Sequence, residues 1–72
     1  MFEECKNAGE IIKAVRESRG FSQAELGDKT WLGRSTINNA ETFRREPTFR
    51  TVEKCLEACG YRFVIEEVEG WK

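Results

Sequence analysis

The apolar residues of this chain fall into short runs, and the residues between those runs limit what it can fold into. Asn7-Ala8-Gly9-Glu10 has the form of a capping box, with Asn7 able to cap a helix and Glu10 to reach back. Ala8, Ile11, Ile12 and Val15 follow at helical spacing until Gly20 stops the run. A second box, Ser22-Gln23-Ala24-Glu25, opens another helix, which Gly27 weakens and Trp31-Leu32-Gly33 interrupts. A third helix is predicted from Arg34 to about Thr42. After the polar loop Arg44-Arg45-Glu46-Pro47, Thr48 can cap a fourth, with Phe49, Val52, Cys55, Leu56 and Cys59 on one face and Gly60 at its end. The predicted helices are therefore about 8–19, 23–30, 34–42 and 49–59. Helices this short, joined by turns this tight, imply a mainly α bundle over residues 1–60.

The tail changes character. Tyr61-Arg62-Phe63-Val64-Ile65 and the residues to 69 are rich in β-branched and aromatic side chains, with Tyr61, Phe63 and Ile65 alternating onto one side. This predicts a C-terminal β-strand. A single strand cannot satisfy its own ladder, so its simplest partner is the same strand in a second copy, making a homodimer ribbon. A tail folded back on the bundle, or an edge paired with the N-terminal residues, is the competing reading.

A chain of 72 residues makes one small domain that buries roughly 60% of its unfolded surface, leaving little room for a catalytic cleft. It has no His, which removes the ordinary Ser-His and Cys-His nucleophile pairs, so the protein is expected not to be an enzyme. Cys55 and Cys59 share a helix face, and a redox pair or two metal ligands is one reading. With one further Cys and no His a tetrahedral zinc would need carboxylates, and both thiols lie on the apolar stripe, so core packing is the other reading. No metal and no cofactor are expected. The N-terminus lacks a basic-then-apolar signal pattern and no apolar run is long enough to span a bilayer, so a cytoplasmic protein without a membrane partner is expected.

On a helical wheel, Arg34, Ser35, Asn38, Asn39 and Thr42 form one polar arc, and Ile37 and Ala40 point the other way. Arg and Asn are the side chains whose hydrogen bonds match guanine and adenine edges in the major groove. A solvated amphipathic helix is the plainer reading, although such helices usually carry more Lys and Glu.

Three collinear pieces carry a resemblance: Gly20-Phe21-Ser22-Gln23-Ala24-Glu25-Leu26, then Gly33-Arg34-Ser35-Thr36-Ile37 with Glu41, then Pro47-Thr48 through Ala58-Cys59-Gly60. From Gly9 to Gly60 the chain resembles the Cro and phage-repressor (XRE-type) helix-turn-helix family. The resemblance implies a compact four-helix lambda-repressor-like domain, here followed by the strand. It also implies a homodimeric, sequence-specific regulator of transcription, a repressor or autoregulator, on a palindromic double-stranded DNA operator. By position, Arg34, Ser35 and Asn39 match residues that face base edges, Gln23 matches one that touches the backbone or an edge base, and Thr36 would lie near a phosphate. Asn38 shares their front, and Arg44 and Arg45 would set register on phosphates. Arg16 and Glu41 match a partly buried salt bridge between the first helix and the end of the third.

Trp31 and Phe43 stand where the family usually has Gly, so the turn is expected to be rebuilt, with Gly33 supplying the flexibility. Ala40 is smaller than the residue common at its position, leaving space for Trp31 or Phe43 to fill. The strand-like tail resembles short antitoxin-type regulators. An antitoxin-like protein acting by contact with a protein such as a toxin, through exposed Trp31, Phe43 or Trp71, is therefore the competing function.

Taken alone, the net charge of −1 disfavours DNA, but its distribution does not. From Lys29 to Arg50 there are five cations (Lys29, Arg34, Arg44, Arg45, Arg50) against Glu41 and Glu46, a surplus of three. From Tyr61 to Lys72 two cations face three carboxylates, a deficit of one.

Overall fold

The computed structural model describes residues 2 to 72. Its helices are α1 (Ala8–Ser18), α2 (Gln23–Thr30), α3 (Arg34–Glu41) and α4 (Phe49–Ala58). Helices of this length are marginal alone in water, so caps and packing have to hold them. Asn7 Oδ1 accepts the Glu10 N–H at 3.0 Å, and Thr48 Oγ1 the Thr51 N–H at 3.1 Å. At α2 the capping box is reciprocal: Ser22 Oγ accepts from Glu25 at 3.0 Å, and Glu25 Oε1 from the Ser22 N–H at 2.8 Å. The box at α1 is displaced by one residue, because Glu10 takes the backbone N–H of Lys6 instead of that of Asn7, at 3.0 Å.

Three helices end in the same paired bonds. After α1 these are Gly20 N–H to Glu17 O and Phe21 N–H to Arg16 O; after α4, Gly60 N–H to Glu57 O and Tyr61 N–H to Leu56 O. After α3, Phe43 takes the glycine role, at φ 54°, with its N–H on Ala40 O and that of Arg44 on Asn39 O. Arg19, Thr42 and Cys59, which the periodicity adds to the helices, are their C-caps.

The core is Ile12 and Val15 of α1, Leu26 of α2, Ile37 and Ala40 of α3, and Val52, Cys55, Leu56 and Cys59 at α4. Each fully buried aliphatic side chain here contributes about 1.5–3 kcal/mol. Burial pushes the Cys55 thiol up to about 12 and raises that of Cys59, so both behave as small apolar groups. Phe49, predicted on the same apolar face, instead lies outside the core at 67% exposure, because it sits on the first turn of α4 and stacks on Phe63.

The C-terminal strand expected over 61–69 is corrected: no strand is present among the described residues. A ladder needs a second strand, and the single chain offers none. Tyr61 is drawn back to the bundle instead. Its ring meets Phe2 edge-on at 5.4 Å between centroids, the Arg19 guanidinium lies 4.8 Å from its centre, and its hydroxyl is 3.1 Å from Ser18 Oγ. Tyr61 and Phe63 each have partners within the chain, while Ile65 is 98% exposed, so the three do not form one row. Among the described residues no helix is long and apolar enough to cross a membrane.

Candidate nucleic-acid interface

The turn between α2 and α3 sets the position of the candidate face. The Gly33 N–H crosses it to Gly27 O at 3.2 Å, and a Cβ on Gly27 would lie 2.6 Å from the Gly33 carbonyl carbon. Gly27 therefore does more than weaken α2: it lets the start of α3 approach it. The expected rebuilding of the turn does not occur, since Trp31 itself takes the left-handed conformation at φ 63°, beside Gly33 at φ 87°. Its ring is then thrown outward to 93% exposure, which leaves it unable to fill the space beside Ala40. Phe43 also faces solvent. α1 and α3 approach main chain to main chain nearby: a Cβ on Gly9 would lie only 2.1 Å from Ala40 O.

The far end of α3 is tied to α1 through charge. Arg16 Nε donates to Glu41 Oε2 at 2.6 Å and Nη2 to Oε1 at 2.9 Å, in a buried, two-pronged pair. Arg16 Nη1 also donates to Phe21 O at 2.7 Å. The Glu41 carboxylate raises the Arg16 pKa further above its ordinary value, outweighing desolvation. Gln23 Nε2 donates to Glu41 Oε1 at 3.1 Å, and Asn38 Nδ2 to Gln23 Oε1 at 3.3 Å. A single hydrogen-bonded chain thus leads from the interior of α1 to the outer face of α3.

That outer face is polar. Arg34, Ser35, Asn38, Asn39 and Arg44 line one shallow recess, and Arg45 and Thr36 lie in a neighbouring one with Asn39, Pro47, Thr48 and Thr51. Arg34, Ser35, Thr36, Arg44 and Arg45 are exposed, and Gln23, Asn38 and Asn39 are half-buried. Thr42 leaves this set because its hydroxyl turns back to Asn38 O at 2.8 Å. Donors, acceptors and guanidinium groups at this spacing suit hydrogen bonding to base edges and phosphates. No group of three or more potential metal ligands occurs among the described residues.

Residues 12–65 match the model of a helix-turn-helix family. The chain belongs to the Cro and phage-repressor class of helix-turn-helix proteins. Over 52 residues it is 36% identical to the immunity repressor protein of Bacillus phage phi105, a match covering 72% of this chain and 36% of that protein. The chain thus spans about a third of that relative's length. No solved structure matches it. The matched stretch runs from within α1 to beyond the end of α4. Sequence reasoning missed Thr51, which enters the second recess beside Thr48; the helix-start signal at Thr48 pointed only to capping.

Proposed function

We propose that the protein is a sequence-specific regulator of transcription that binds double-stranded DNA as a homodimer, with α3 in the major groove. The observation that carries this reading is the recess of Arg34, Ser35, Asn38, Asn39 and Arg44 on the outer face of α3, in a helix-turn-helix chain similar to a phage immunity repressor. Arg34, Ser35 and Asn39 face base edges, while Thr36, Arg44 and Arg45 set register on phosphates. Two such subunits place their recognition helices about 34 Å apart, one turn of duplex, on a palindromic operator. Val64, Ile65, Val68 and Trp71, all exposed on the tail, support it as the element through which copies pair, and Phe63 extends that apolar stretch.

A salt titration of binding tests the reading. Arg34→Ala and Asn39→Ala each weaken operator binding by about 1–3 kcal/mol, and Arg34→Ala relaxes preference at one base pair. Unchanged affinity in both variants contradicts it. Removal of residues 61–72 leaves a monomer by mass in solution; a dimer that survives contradicts pairing through the tail. Trp31 and Trp71, at 93% and 81% exposure, favour a second reading in which the domain acts by contact with a protein such as a toxin. Equal affinity for all duplex sequences, with co-purification of a defined protein, supports that alternative.

A further inference from the structure

Gln23 and Asn38 are primary amides, each with an acceptor end and a donor end. Which end of each faces outward is set from the interior. Both Glu41 oxygens receive Arg16 N–H groups, so toward Gln23 this carboxylate can only accept. Gln23 therefore turns Nε2 inward, to Glu41 Oε1, and its Oε1 faces Asn38. Asn38 answers with Nδ2, which leaves Oδ1 as the end turned away from Gln23. Reversing either amide would set two donors or two acceptors against each other, and an unmade hydrogen bond in a half-buried site is costly.

We propose that Gln23, held by the Arg16–Glu41 pair, is a positioning residue that fixes Asn38 as an outward acceptor. Asn38 thereby reads a base through its exocyclic amino group, N4 of cytosine or N6 of adenine. These amino groups are the only hydrogen-bond donors that base edges present in the major groove; guanine and thymine offer acceptors there. The assignment rests on the DNA-reading function proposed above and specifies the chemistry of one of its contacts.

The test begins with sites selected from random duplex DNA by the full chain and by Asn38→Ala. The base pair whose preference disappears in Asn38→Ala is the one that Asn38 reads. At that pair, a base lacking the amino group (purine for adenine, 2-pyrimidinone for cytosine) is compared with a 7-deazapurine, which lacks the N7 acceptor. Deleting the amino group weakens wild-type binding by roughly tenfold beyond its effect on Asn38→Ala, the worth of one hydrogen bond. Deleting N7 affects the two proteins equally. Gln23→Leu leaves Arg16 paired with Glu41, so the fold is kept, but it frees the Asn38 amide to turn. The amino-group effect then falls to within about twofold of that in Asn38→Ala. Equal losses in wild type and Asn38→Ala, no base pair altered by Asn38→Ala, or a full amino-group effect in Gln23→Leu each overturn the assignment alone. Selection that enriches no sequence overturns the DNA reading and this assignment with it.

Discussion

Arg16 and Arg34 carry the same guanidinium, one buried against Glu41 and one exposed on α3. Arg16 is 9% exposed and spends its donors on Glu41 and Phe21 O, so its removal strands a buried carboxylate. Arg16→Ala is expected to lose about 3–5 kcal/mol of stability in denaturant unfolding. Arg34→Ala, on an exposed position, is expected to stay within about 0.5 kcal/mol. A loss below about 1 kcal/mol in Arg16→Ala would mean that the pair is effectively solvated. The Arg16–Glu41 pair was anticipated only through resemblance, since nothing in the intervening stretch links the two positions. The Gln23–Asn38 bond was not anticipated at all. Partners fifteen residues apart on different helices leave no periodic trace, and a wheel shows only that Asn38 faces the same way as Arg34.

At the scale of elements, what was legible was what is local. Asn7, Ser22 and Thr48 act on N–H groups three residues ahead, so their roles can be read within four letters of sequence. The tail was misread because β-propensity describes a strand only when a partner is present. Tyr61 found Phe2 and Arg19 within the chain instead. Close approaches were equally hidden: Gly9 looked like part of a helix start, yet the Ala40 carbonyl occupies the place of its missing side chain. Gly9→Ala is therefore expected to destabilise the fold by about 1–3 kcal/mol by separating α1 from α3, despite the better helix propensity of Ala. Thermal unfolding checks this, and an increase in Tm would show that the two backbones can part without cost.

Across the whole molecule, the core and the charge distribution set what is reactive and what is available. Cys55 has a folded pKa of about 12, raised by burial above the ordinary thiol value. Its contribution to stability is therefore complete below the unfolded value of about 8.5 and is lost as pH rises from there toward 12. At pH 8 the native protein should take up a single alkyl group from iodoacetamide by mass spectrometry, on half-buried Cys5, and three once unfolded. Rapid native labelling of Cys55 or Cys59 would show that the α4 face opens.

The surplus of three positive charges between Lys29 and Arg50 is carried by few side chains, so non-specific binding should be weak and base reading should dominate. Selection of bound sites from random duplex DNA tests this most directly. The account predicts an enriched palindrome, half-sites about one helical turn apart, with one position losing its preference in Arg34→Ala. Enrichment of no sequence, or the same enriched sequence with unchanged preferences in Arg34→Ala, would contradict it.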